Sequence, residues 1–502
     1  MLATEPAKTV QPRCERVPVF TSNRLFNDDL KPAEHRTWGA YSITAVWFAA
    51  LHNIGVYTAA AGMFLVGLPV WQALIGIVAG FSLMFFAAQL IGNIGQRYGV
   101  PFPVFARVSF GIYGANIPAL VRGAIAIAWY GIQTYLAGQA VVVLVLALDP
   151  DLVDLASGGF LGLSPLSWFC FLGVWALQLL VVTHGMELIR WVQNWAGAIV
   201  SVLMAVLAIV LVAQAWGRLD FNMGATGLGT GAAVGKIIAV AFATFTIHAP
   251  LFLNLCDFTR FSSSPKSVRR GNFWGLPING LFFSATVAAV AVAGYALYGR
   301  LITEPTEILQ ESQNRVLIAA GVLLFVLATL GINIVANLVS PAYDFANVFP
   351  KRITFTRGAL ITCVLAVVVM PWKLYSSPVA VTYFLGAMGG LLGPIFAIIM
   401  VDYFSRKRHV VVEDLYTDSP LGLYHYRRGF NPRAVVSLLV SSAFSVPIAV
   451  VPAWHEYSWL AWFVGAALAG GLYLLLPGRK ESGEPVLVEA IPSESVANVA
   501  HP

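Results

Sequence analysis

Charge is scarce in this chain: Asp, Glu, Lys and Arg make up 11% of its 502 residues, against roughly 25% in a soluble domain. With 58% hydrophobic residues, that scarcity excludes an ordinary soluble protein. Cysteine is sparse too. Cys14, Cys170, Cys256 and Cys363 lie far apart and show none of the paired spacings of a disulfide framework or a thiolate metal site, so neither is expected. Residues 1–37 lack the apolar core of a cleaved signal peptide, which leaves the first membrane span as its own insertion signal.

Catalytic signatures are missing as well. His184-Gly-Met-Glu187 is not the HExxH of a zinc protease, no Gly-x-Ser-x-Gly elbow occurs, and the glycines of GATGLGTGAAVG lack the strand-to-helix context of a phosphate loop. No selectivity-filter sequence or ring of pore charges marks a channel. An enzyme and a cofactor are therefore not expected. A net charge of +6 would fit a nucleic-acid binder, but the basic residues sit where membrane proteins concentrate them, in the loops of one side.

What the chain has is apolar length. Runs of about 20 residues, each enough to cross roughly 30 Å of hydrocarbon, recur at 38–66, 70–94, 116–147, 165–184, 191–215, 234–256, 272–299, 315–347, 354–372, 379–404, 434–453 and 457–477. An all-α polytopic membrane protein of twelve transmembrane helices is expected. If the chain starts inside, the two tails and the even-numbered loops hold 24 of the 30 Lys and Arg. The opposite loops hold Asp149, Asp151 and Asp154, and Glu304, Glu307 and Glu311. This bias places both termini in the cytoplasm. The loop from Gly95 to Asn116 carries Gly, Pro and aromatics, which fit packing against the bundle, and the tail after Arg479 reads as disordered.

Polar groups and helix breaks at mid-membrane are costly unless they face protein or a water-filled cavity. Five places have them: His52-Asn53 with Gly55 in the first span, Trp129 with Gln133 in the third, Thr246-Ile247-His248-Ala249-Pro250 in the sixth, Asn333 with Asn337 before Pro341 in the eighth, and GAMGGLLGP (386–394) in the tenth. Trp129 and Gln133, like Asn333 and Asn337, are four apart and share a helix face. The glycines of the tenth span suit flexing or close helix contact. Any one of these residues could serve only as interhelical glue or core packing. Their joint placement says more. Breaks in the first and sixth spans are in matching positions of two five-span repeats, the sequence pattern that points to a transporter site.

Several ordered motifs carry a family resemblance: SNRLFNDDLKP with RTW in the tail, FAALHN in the first span, IAWYGIQTYLAG in the third, NLCDFTRF after the sixth, NIVANLVSPAYD in the eighth, and GGLLGPIFAIIMVDYF with EDLY near the tenth. From about Ser22 to Leu476 the chain resembles the nucleobase:cation symporter-1 family, closest to its bacterial allantoin and hydantoin permeases. The resemblance implies a leucine-transporter-like fold of two inverted five-helix repeats with broken helices 1 and 6, plus two further helices, working by alternating access. The domains expected are a tail (1–37), the two repeats (38–215 and 234–404), a cytoplasmic loop (405–433), the two added helices (434–477) and a second tail (478–502).

Carried over from the family, the substrate positions are Asn53, Trp129, Gln133, His248 and Asn337. A flat ring would stack on Trp129, and amides match an edge that alternates N–H and C=O. His248 stands where the hydantoin and allantoin members commonly have Trp, which leaves uracil, other pyrimidines and purines open. The sodium ligands of the family map to the backbone of Ala49, His52 and Ala328 and to two hydroxyl positions, here Gly331 and Ile332. A hard cation wants several oxygens, so proton coupling is favoured, with His248 or His52 as the responding group. Asp257 and Arg260 read as a structural or gating ion pair. The expected function is import of a small planar heterocycle such as allantoin, hydantoin or uracil across the bacterial cytoplasmic membrane, by a monomer needing only lipid, substrate and coupling cation. The alternative is a sodium-coupled symporter for cytosine, a purine or thiamine.

Overall fold

The computed structural model describes residues 24–300 and 315–477. Cys14, the acidic residues Glu304, Glu307 and Glu311, the first 23 residues and the tail from 478 lie outside the described residues. Those described form helices and loops with only isolated bridges between extended residues.

Among the described residues, ten helices are long and apolar enough to cross a membrane, and the first span adds an eleventh as two halves bent by 66°. The expected ninth crossing is the helix Phe355–Val368, 14 residues long, or about 21 Å at 1.5 Å per residue. That is short of the hydrocarbon core. The count of twelve therefore depends on this short helix. Residues assigned to the tail and to the even-numbered loops meet at one end of the bundle. Asn27 donates to Pro350 O and Ile353 O, Arg36 to Gln96 O, and Tyr416 to Leu30 O, while Trp38 N donates to Phe261 O.

The breaks follow local chemistry. The first span runs as Ala40–Leu51 and Ile54–Gly62, and Asn53 caps the second half by accepting from Val56 N. Asn is among the best residues for that position. The sixth span is Thr230–Ile247, followed by the short helices Ala249–Leu253 and Cys256–Thr259. Pro250 sits in the first turn of its new helix, where its missing N–H costs nothing, so the chain restarts there.

Two irregularities have no counterpart in the expected spans. The eighth span widens into a π-helix at Asn333–Val339 before Ser340–Val348, and the seventh does so at Trp274–Ile278, around Pro277. In the eighth, Pro341 offers no N–H to the carbonyl of Asn337 and its ring crowds that carbonyl. A wider turn absorbs both effects. The tenth span is continuous from Pro378 to Ser405 with Pro394 inside it. Its glycines serve contact: a Cβ on Gly390 would lie 3.0 Å from the Cα of Val446. The loop after the second span is buried as Phe102–Phe105 and Arg107–Phe110, with Arg107 donating to Leu415 O and Asn347 Oδ1.

The fifth span (Met186–Gln214) supports the first break from behind, because a Cβ on Gly197 would lie 2.6 Å from Ala49 N. Gly197→Val should cost about 1–3 kcal/mol by overpacking and lower the thermal midpoint in detergent. Gly173→Val, with nothing within 4 Å, should leave the midpoint in place.

Candidate functional site

The breaks in the first and sixth spans and the π-turn of the eighth face one another across the third span and line a partly open cavity of about 50 Å³. Asn53, Trp129, Gln133, His248 and Asn337 all line it, together with Ala50, Val56, Ile247, Pro250, Leu251, Ile332 and Ala336. Among these lining residues none carries a fixed charge, and the rest of the wall is apolar.

Hydrogen bonding fixes which way each amide points, although nitrogen and oxygen of an amide look alike. Asn53 Nδ2 donates to Ala50 O at 2.7 Å, and its Oδ1 accepts from Val56 N at 3.1 Å. A carbonyl can only accept and an N–H can only donate, so this amide has one orientation. Gln133 Nε2 then donates to Asn53 Oδ1 at 2.8 Å. Gln133 Oε1 is left buried without a partner.

The same logic runs through a chain of buried amides behind the cavity. Gln178 Nε2 donates to Val174 O and to Thr134 Oγ1, both at 3.1 Å, so Gln178 Oε1 is an acceptor. Asn333 Nδ2 donates to it at 2.8 Å and to Tyr130 O at 3.2 Å. Asn333 Oδ1 therefore accepts, and Asn337 Nδ2 donates to it at 2.8 Å. Asn337 keeps its carbonyl oxygen and one N–H for other partners.

His248 ends the first half of the sixth span, and its Nδ1 lies 2.8 Å from Thr244 O. That partner only accepts, so Nδ1 carries the proton. In the neutral ring Nε2 is then an acceptor, and it is buried without a partner. Trp129 is half-buried and meets Phe384 of the tenth span edge to face at 5.9 Å.

The expected ion positions are divided. A Cβ on Gly331 would lie 3.6 Å from Ala49 O, so the first and eighth spans do approach there. Ile332 lines the cavity, and Ala328 is buried. The His52 ring turns away from the cavity, with Nδ1 3.2 Å from Tyr57 Oη and Nε2 3.0 Å from Asn279 Oδ1, among Phe48, Phe282 and Phe283. The expected Asp257–Arg260 pair does not form. Asp257 accepts from Phe102 N and Asn254 Nδ2, while Arg260 donates to Asp29 O and stacks over Tyr343. Asp257 is held in part from the loop after the second span and Arg260 by the tail, partners that sequence adjacency does not reveal.

Sequence reasoning missed Thr134, Gln178 and Arg122. Gln178 carried a signal as the one amide in the apolar run FLGVWALQLLVV. Arg122, two turns into the third span and fully buried, was the only charge in its run.

Comparison with known proteins agrees with this geometry. A family model described as permease for cytosine/purines, uracil, thiamine, allantoin matches residues 30–465. An allantoin permease of Bacillus subtilis (strain 168) is 37% identical over 467 residues, covering 91% of this chain and 94% of that protein. A purine-uracil permease of Arabidopsis thaliana is 33% identical, with 91% and 79% covered. A solved nucleobase-cation-symport-1 family transporter, closed with bromovinylhydantoin bound, matches with a TM-score of 0.71 at 23% identity over 89% of this chain and 94% of that one. A Na+-coupled sialic acid symporter in its substrate-bound outward-open state matches with a TM-score of 0.58 at 15% identity, covering 91% and 92%. These likenesses establish the leucine-transporter-like helical fold.

The amide chain yields a test remote from the cavity wall. Gln178→Leu removes the shortest of the bonds from Asn333 Nδ2, leaving those to Tyr130 O and Thr134 Oγ1, at a cost of about 0.5–1.5 kcal/mol, and the looser hold on Asn337 should weaken substrate binding. Titration calorimetry on purified protein reads the affinity, and unchanged affinity would show that Asn337 is held by other means.

Proposed function

Because the chain belongs to the nucleobase:cation symporter-1 family of permeases, and is thus a multi-pass membrane transporter and not an enzyme, we propose that it imports a neutral, N–H-bearing planar heterocycle. The observation that carries this reading is the pair of buried, unpartnered acceptors at the cavity, Gln133 Oε1 and His248 Nε2, in a wall without fixed charge. A site built to accept hydrogen bonds rejects ligands that lack the donors, because its own buried atoms then stay unpaired. Cyclic ureides such as allantoin and hydantoin, and uracil, present such N–H groups. Cytosine, purines and thiamine place ring nitrogen acceptors on an edge and fit less well.

In this reading Trp129 stacks on the ring while Asn53, Gln133, His248 and Asn337 hold its edge. The two repeats occupy 38–215 and 234–404, the tails at 1–37 and 478–502 and the loop at 405–433 face the cytoplasm, and the helices of 434–477 are additional. The setting is a bacterial cytoplasmic membrane. One chain lines the whole cavity, which supports a working monomer. Proton coupling is favoured over sodium, since Gly331 and Ile332 offer no oxygen where the family pattern needs two hydroxyls.

Gln133→Ala and Asn337→Ala should each abolish saturable uptake with membrane expression unchanged; normal uptake by both would remove the site assignment. Methylating the ring nitrogens of a bound ureide should lower affinity roughly tenfold or more, measured by competition against the parent ring. Uptake with and without a sodium gradient, across external pH, decides the ion. Sodium-dependent uptake that survives collapse of the proton gradient would refute proton coupling.

A further inference from the structure

Below the cavity, toward the end that carries the tail, lies a charged group that substrate recognition does not use. Arg122 is fully buried on the third span, eleven residues or about 16 Å along the helix from Gln133. Its Nε donates to Pro250 O at 3.0 Å and its Nη2 to Ala336 O. Pro250 and Ala336 both line the cavity, so this one guanidinium ties the break of the sixth span to the π-turn of the eighth across the cavity floor. Its third nitrogen, Nη1, is buried without a partner.

Asp344 lies on the eighth span, two turns beyond Asn337, and is 1% exposed. Neither carboxyl oxygen has a hydrogen-bond partner. It packs on the third span beside Arg122, where a Cβ on Gly123 would lie 4.0 Å from Asp344 Oδ2, yet no ion pair joins the two within 4.0 Å. One turn earlier, Ser340 Oγ is likewise buried and unpartnered. A carboxylate without a hydrogen bond or a counter-ion is strongly disfavoured by burial against the neutral acid.

The other ionisable groups around Asp344 each hold other partners, although Arg260 Nε and Nη1 and Arg107 Nε are also buried without one. Asp257, after the sixth break, is bonded to Phe102 N and Asn254, and Arg260 to Asp29 O. Arg107, on the loop helix, holds Leu415 O and Asn347. Tyr343 stacks on Phe355 and under Arg260, Cys256 is buried beside Asp257, and on the ninth span Cys363 meets Tyr130 while Arg357 is exposed and donates to Arg352 O.

We propose that Asp344 is the proton-carrying group of the transport cycle and that Arg122 is the latch it releases. With Asp344 protonated, the guanidinium holds Pro250 O and Ala336 O and the floor stays shut. When the acid gives its proton to cytoplasmic water, the carboxylate left behind draws Arg122 through its free Nη1. The guanidinium leaves the two carbonyls, and the sixth and eighth spans part beneath the substrate. Once the emptied carrier has closed its floor and opened outward, a proton arriving through the cavity from the outer side restores the neutral acid and sets the latch again. The proposal rests on the proton-coupled reading above and moves the coupling group from the two histidines to this carboxyl.

The test uses purified full-length protein in proteoliposomes, with labelled uracil or allantoin and sodium-free buffer. Asp344→Asn, which stays neutral at every pH, should bind substrate about as wild type does but keep the floor shut, so that its counterflow exchange is lost at every pH. Its accumulation under an inward proton gradient should fall at least about tenfold. Asp344→Glu should stay coupled with a displaced pH profile, and it decides the matter if the Asn variant does not fold. Wild-type accumulation by Asp344→Asn, or an unmoved pH profile in Asp344→Glu, overturns the latch alone. Wild-type protein driven by sodium and indifferent to the proton gradient overturns the coupling reading and the latch with it.

Discussion

Inside a membrane a broken helix has no water to take up the N–H and C=O groups it frees, so each must find a protein partner. That requirement organises the centre of this molecule. Asn53 takes up Ala50 O and Val56 N on the two sides of the first break. His248 takes up Thr244 O at the sixth. Arg122 takes up Pro250 O and Ala336 O, one from each of two spans. The residues that repair the backbone are thereby held rigid, and two of them, Asn53 and His248, also face the cavity.

Repair and recognition are thus one arrangement. Because Asn53 spends its amide on the backbone, Gln133 must present its NH2 group to Asn53 and its oxygen elsewhere. Because His248 spends Nδ1–H on a carbonyl, Nε2 becomes an acceptor. Farther out, Gln178 and Thr134 set Asn333, and Asn333 sets Asn337. The cavity's pattern of donors and acceptors is inherited from backbone groups up to three side chains away. Networks of this kind lock when every member is satisfied and fail together when one is removed.

The inner end of the bundle depends on the same accounting. The tail from Asn27 to Trp38 bonds to the loops that follow the second, sixth, eighth and tenth spans. Asn347 joins Arg107 to Asn116 between them. Below the cavity, Asp344 keeps both carboxyl oxygens unpaired and Arg122 its Nη1, and Arg107 and Arg260 also keep buried nitrogens without partners. A fully paired network has one stable arrangement. An incompletely paired one has a second within reach.

Much of the fold was legible in the sequence, since it follows from terms that act along the chain. Apolar length sets the crossings, and Asn53 and Pro250 mark breaks through capping and a missing donor. The polar positions Asn53, Trp129, Gln133, His248 and Asn337 stood out because polarity at mid-membrane is rare, and the structure brings all five to one cavity. What only the tertiary structure decided is direction. That the His52 ring points to Asn279, that Asp257 and Arg260 take other partners, and that the eighth span widens at Asn333 all depend on residues far away in sequence or on ring clashes within a turn. Spacing along a helix says which face a residue occupies; it does not say which neighbour takes its hydrogen bond, and in a medium without water that neighbour settles whether the residue is structure or site.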